Sequence, residues 1–225
     1  MNTISDNSQH KALKFGNDLP DYIIYQQNMK PLQNAFSICS WVKSLRSSGH
    51  PCWLSYAVGS SINEVLISDD GVYQFMFDSS LGALRSKFSD VPSGTWYHYC
   101  CTWSSSSRAH KVYLNGQEIG SRSTASGRNL LTDGYLVIGN DQNGSPGEGM
   151  GSEYIFGGEL YELNFFSKEL SNSEVQEMAK GMCSEAEGTY GDVRSIKWED
   201  ILQRERNGDV TEVKLSKCAG MVTSF

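Results

Sequence analysis

The stretch Trp96-Tyr97-His98-Tyr99-Cys100-Cys101-Thr102-Trp103-Ser104-Ser105 decides how the rest of the chain is read. In a strand successive side chains point to opposite faces, so His98, Cys100 and Thr102 share one face and Trp103 begins the other set. The segment reads as a core strand that carries a disulfide. His98 is read as structural, because nothing near it in sequence supplies the nucleophile or metal partner that a catalytic imidazole needs.

On both sides of this strand the chain alternates short apolar segments with clusters of Gly, Ser, Asn and Asp, the rhythm of an all-β fold. Strands are expected over residues 22–25, 36–43, 53–58, 64–67, 72–77, 96–103, 111–114, 135–138 and 160–166. Within Lys111-Val-Tyr-Leu-Asn115-Gly116-Gln-Glu-Ile119, the Asn-Gly pair supplies the positive φ angles of a tight type I′ hairpin. Ser171-Asn-Ser-Glu174 breaks the β pattern. It is a capping box, followed by Val175, Met178 and Ala179 at helical spacing and closed by Gly181, which predicts a single short helix near 172–180 laid on a sheet.

The 225 residues suit one sandwich domain over 11–225 behind a flexible polar stretch at 1–10. An apolar fraction of 39% supplies a core, and a net charge of −7 argues against nucleic acid while suiting a divalent cation. No apolar run is long enough to span a bilayer, and the first ten residues lack the basic start and apolar stretch of a signal peptide. The six cysteines, Cys39, Cys52, Cys100, Cys101, Cys183 and Cys218, show no zinc-type spacing, so disulfides and a secreted, extracellular setting are expected.

Between strands, residues 140–151 form a long loop rich in glycine and oxygen donors: Asp141, Gln142, Asn143 and Glu148. Long loops in compact domains usually serve a function, although Asp-Gln-Asn-Gly-Ser is also ordinary turn chemistry. Asn143-Gly-Ser145 is in addition an N-glycosylation sequon, and a glycan there excludes a ligand role for the same side chain. No strand carries the paired carboxylates that a glycosidase or lyase on a jelly roll requires, so an enzyme is not expected.

His98-x-Cys100-x-Thr102-Trp103-x-Ser105 resembles the pentraxin signature at every constrained position. Phe36-Ser-Ile-Cys39-Ser-Trp41, Asn63-Glu-Val-Leu-Ile67, Leu136-Val-Ile-Gly139-Asn-Asp141-Gln-Asn143 and Gly158-Glu-Leu160 follow in the family's order, and the tail with Ile196-Lys-Trp198 is most similar to horseshoe-crab and other invertebrate members. The resemblance implies a two-sheet antiparallel jelly-roll sandwich with one short helix and a ring-forming homo-oligomer. It also implies a calcium-dependent, lectin-like pattern-recognition role in innate immunity, with phosphate- or carboxylate-bearing groups, glycans or microbial surfaces as partners. A laminin-G-like adhesion module shares the sandwich and a similar calcium loop, but lacks the His98 to Ser105 signature.

The resemblance implies a disulfide between Cys39 and Cys100. Cys183 and Cys218 would close a loop that pins the tail, and elimination leaves Cys52 with Cys101, free thiols being the alternative at those two positions. For Ca2+ it implies Asn63, Asp141, the Gln142 carbonyl and Asn143, with Glu148 or Glu153 completing a second ion. Where the family has carboxylates before Asn63 and after Gln142, this chain has Ile62 and Asn143, and Met150 stands where another acidic residue is usual. Fewer charges predict weaker calcium binding and the loss of the second ion. Ser68, with Tyr73 and Met76, is expected to line the ligand pocket, although an aromatic or a methionine on a strand more often belongs to the core. Ser68 and roughly Leu81 replace the aromatic and the glutamate with which phosphocholine-binding members hold choline, so a different ligand is expected.

Overall fold

In a computed structural model, the described residues are 10–18, 20–45, 49–69, 72–77, 83–86, 91–124, 127–182, 190 and 193–215. They form two antiparallel sheets. The first is built from β1 (Lys11–Phe15), β3 (Ala35–Ser44), β8 (Tyr97–Ser104), β9 (Ala109–Leu114), β10 (Gln117–Ser123), β12 (Gly158–Phe166), β13 (Arg194–Ile196) and β15 (Thr211–Lys214). Its order is β10-β9-β8-β3-β12-β1-β15, with β13 added on β12. The second sheet uses β2 (Tyr22–Gln27), β4 (Cys52–Val58), β5 (Ser61–Asp69), β6 (Tyr73–Phe77), β7 (Leu84–Ser86), β11 (Gly134–Ile138) and β14 (Arg206–Asn207), in the order β14-β2-β11-β4-β5-β6-β7.

All nine strands expected from the sequence are present, mostly longer by one to three residues at an end. The short strands β1, β7, β13, β14 and β15 were not expected, since two to five residues of mixed polarity carry little periodicity. In the hairpin between β9 and β10, Asn115 and Gly116 have φ of 48° and 80°, as a type I′ turn requires.

The stretch that carries Cys100 and Cys101 is β8, buried at all eight positions. Tyr97, Tyr99, Cys101 and Trp103 project into the core between the sheets, where Trp103 meets Phe77 with ring centroids 4.5 Å apart. The other face of β8 is buried too. Cys100 lies directly opposite Cys39 on β3 and is bonded to it, and both pack with Tyr113, Phe166, Leu170 and Val175 in a second, smaller apolar cluster.

That cluster is what α1 (Asn172–Met178) covers. Ser171 accepts from the Glu174 N–H while the Glu174 carboxylate accepts from the Ser171 N–H, the capping box foreseen from the sequence. The helix stops at Ala179, two residues before the expected Gly181. A second short helix, α2 (Trp198–Ile201), was not anticipated. Residues 1–9 lie outside the described residues. His10, expected to fray with them, is held: its Nδ1 is 2.7 Å from the Tyr161 hydroxyl and its carbonyl accepts from Leu215.

Candidate metal and ligand site

Gly139 ends β11 with a φ of +98°, and a Cβ there would lie 2.4 Å from the Phe15 ring and 2.7 Å from the Asp21 carbonyl. Only glycine fits, and the chain turns sharply into the oxygen-rich loop. Asn140, wholly buried, ties both ends of that loop. Its Oδ1 accepts from the N–H groups of Asp141 and Gly151 at 2.9 and 3.2 Å, and its Nδ2 donates to the Gly151 carbonyl. Gln142, also wholly buried, folds the loop back over the second sheet. Its Nε2 donates to the carbonyls of Ser55 and Tyr135 at 3.1 and 3.0 Å, and its Oε1 accepts from Gly147 N–H at 2.7 Å. Asn and Gln serve here because each offers donor and acceptor together to free backbone groups.

Between these two amides sits Asp141, 4% exposed. Its carboxylate accepts from the Gln142 N–H at 2.8 Å and from the Ser55 hydroxyl. Burial raises its pKa above the ordinary carboxylate value, a shift those hydrogen bonds only partly offset. No lysine or arginine among the described residues pairs with it.

Asn143 is exposed, and its side chain hydrogen-bonds the Tyr154 hydroxyl, which also meets Glu153. Loss of solvation raises the Tyr154 pKa, with Glu153 and Asp141 adding to it electrostatically. Asp141, Asn143 and Glu153 are thus gathered about one tyrosine. Sequence reasoning gave no site role to Tyr154 or Asn140, and it placed Ser55 only in a segment resembling the start of the family's calcium site. Glu148 closes the loop tip through its N–H to Ser145 and leaves its side chain in solvent. Asn63, on β5, has a buried Oδ1 without a hydrogen-bond partner among the described residues. Among the described residues no three His, Cys, Asp or Glu side chains converge on one point.

The pocket expectation needs one correction. Along β6, Tyr73, Phe75 and Phe77 alternate inward and Gln74 and Met76 outward, so Tyr73 packs between the sheets against Tyr97 at 5.4 Å and cannot line an outer pocket. Ser68 and Met76 do lie on the outer face, Ser68 between Gln74 and Cys52.

A Cys52–Cys101 disulfide is likewise overturned, as both thiols are free and buried. Cys52 shares the outward row with Ser68, and its Sγ donates to the carbonyls of Leu54 and Ile67. Cys101 faces the core from the opposite sheet, so the whole thickness of the second sheet separates them. Elimination could not register this. Cys183 and Cys218 lie outside the described residues.

The family model described as concanavalin A-like lectin/glucanases superfamily matches residues 17–176 and defines the class of sandwich. C-reactive protein 1.1 of Limulus polyphemus is 29% identical over 179 residues, 77% of this chain and 72% of that protein. Neuronal pentraxin-1 of Rattus norvegicus is 28% identical over 191 residues, 84% of this chain but 42% of its own length, so the chain spans less than half of that relative. Among solved structures, the heptameric SAP-like pentraxin from Limulus polyphemus superposes with a TM-score of 0.69 at 20% identity, covering 91% of this chain and 94% of that one. The chain belongs to the pentraxin family.

Proposed function

We propose that this chain is a secreted, calcium-dependent binding protein, which recognises phosphate- or carboxylate-bearing groups and glycans on surfaces through a multivalent ring. The observation that carries the reading is Asp141: a carboxylate withdrawn from solvent with no lysine or arginine beside it among the described residues, in a loop whose shape is set by other residues. A buried carboxylate that stays ionised needs a compensating positive charge. The orphaned Asn63 Oδ1 points to the same need, because a buried oxygen without a donor costs free energy until something binds it.

Asp141, Asn63, Asn143 and the Gln142 carbonyl are hard oxygen donors, a set that suits calcium better than a softer transition metal. Bound there, the ion would offer open coordination positions to the oxygens of an acidic ligand. Asn140 and Gln142 hold the donors in place, and Ser55 orients the Asp141 carboxylate. With Ile62 and Asn143 where carboxylates would add charge, and Glu148 turned to solvent, one ion per chain is expected. Its dissociation constant should fall roughly in the 10⁻⁴ to 10⁻³ M range of weak extracellular sites. The disulfide at Cys39–Cys100 favours an oxidising compartment.

Thermal melting tests the reading. Calcium chloride should raise the midpoint of the native protein, EDTA should reverse the rise, and Asp141→Ala should show none. Equal stabilisation of Asp141→Ala would overturn the site, and a calorimetric stoichiometry of two tight ions would overturn the weak single-ion form. Mass spectrometry of natively expressed protein decides the sequon, since a glycan on Asn143 removes that side chain from the set.

A further inference from the structure

Among the described residues three large apolar side chains are exposed: Ile62, Leu131 and Tyr135. Tyr135 differs from the other two in standing under the oxygen-rich loop. Leu136 and Ile138 of β11 turn into the core, so Tyr135 and Val137 face outward on the same side as the loop. Tyr135 is 37% exposed.

Gly147 lies against it. A Cβ on Gly147 would be 3.2, 3.3 and 3.4 Å from the ring atoms Cδ1, Cγ and Cε1. Near-equal distances to three consecutive ring atoms place that Cβ position above the ring plane, since an approach along the edge would reach one of them well before its neighbours. Gly147 has a φ of +89°, so an L side chain is disfavoured there and the close contact is built on glycine. The Gln142 amide fixes both partners at once, donating to the Tyr135 carbonyl and accepting from Gly147 N–H. One face of the ring is therefore turned to the Gly147 backbone, and the remaining ring surface is open to solvent beside the segment of the loop that runs from Gln142 to Gly147.

We propose that Tyr135 is a stacking platform for a pyranose ring, whose acidic substituent reaches the oxygen-donor loop. The inference rests on the binding function proposed above and names the ligand more narrowly, as an acidic sugar and not a bare anion. A phosphate or acetate ion has no apolar face to lay on a tyrosine, whereas the C–H face of a sugar does. A tyrosine has only two side-chain torsions to lose on contact, and its amphipathic ring tolerates a wet rim.

The test compares native protein, Tyr135→Ala and Tyr135→Trp on an array of neutral, sulfated and sialylated oligosaccharides. Calcium titration, inorganic phosphate binding, melting and sedimentation are measured on the same samples. For an acidic saccharide that the native protein binds, Tyr135→Ala should bind about tenfold more weakly and Tyr135→Trp should retain binding. Calcium and phosphate binding should be unchanged in both variants. The proposal is overturned if Tyr135→Ala binds saccharides as well as native protein, if phosphate affinity falls in step, or if the native protein binds no saccharide. A change of oligomer size in Tyr135→Ala would assign the ring to a subunit contact and overturn it as well. Failure of the calcium reading is distinguishable: saccharide binding that survives EDTA yet depends on Tyr135 keeps the platform and removes the ion.

Discussion

His98 shows what a single buried ring does to the whole molecule. It packs edge-on against Trp41, with centroids 5.3 Å apart, and burial lowers its pKa from 6.5 to about 3. The folded protein therefore refuses a proton that the unfolded chain accepts throughout that interval. Stability from the neutral ring is complete above pH 6.5 and is lost as pH falls toward the folded value, by about 1.4 kcal/mol for each unit. His98→Gln should flatten the decline of the melting midpoint between pH 6 and pH 4, and an unaltered slope would show that other groups govern it. His98 was read as structural because nothing near it in sequence supplies a nucleophile or a metal partner, and the structure buries it along with Cys100 and Thr102 of the same row. Tyr73 stood between two readings, pocket and core, and the period of β6, which pairs it with Phe75 and Phe77, decides for the core.

At the scale of elements, β3, β8 and α1 act as one unit. The Cys39–Cys100 bond spans 61 residues of chain, and its two half-cystines form part of the floor on which Val175 and Leu170 rest. Loop-closure entropy puts its contribution at about 4 kcal/mol. Replacing both cysteines by alanine should lower stability by that order in denaturant unfolding; a loss under about 1 kcal/mol would mean that the ladder between β3 and β8 suffices. This element was legible because its signals are local: alternation, an Asn-Gly turn and a capping box each sit within ten residues. The tail was not. A disulfide at Cys183 was expected to pin it, whereas the described portion is held by scattered contacts: β15 on β1, the Trp198 indole N–H to the Lys11 carbonyl, and Arg204 over the Tyr25 ring at 4.3 Å. Each joins residues far apart in sequence, and none has a periodic signature.

For the whole molecule, the two sheets divide the labour. The outer face of the first is closed by α1 and its cluster, while the outer face of the second carries Asp141, Asn143, Tyr135, Ser68 and Met76. Loop chemistry on one face of a sandwich suits weak, repeated contacts with a patterned surface. Avidity should then make binding to a dense array about 10² to 10⁴ tighter than to the free saccharide. Sedimentation should give a defined multiple of the 25.0 kDa chain. A lone chain, or equal affinity for free and arrayed ligand, would overturn the multivalent ring.

The two amides that tie the loop have one more consequence, for engineering. Asn140 and Gln142 grip mostly main-chain atoms of Ser55, Tyr135, Gly147 and Gly151, so the clasp reads almost nothing of the side chains between them. Residues 143, 145, 146 and 148 can be randomised in a display library with the sandwich left untouched. The clasp would make this fold a cassette, in which new specificities are installed by exchanging a few exposed letters.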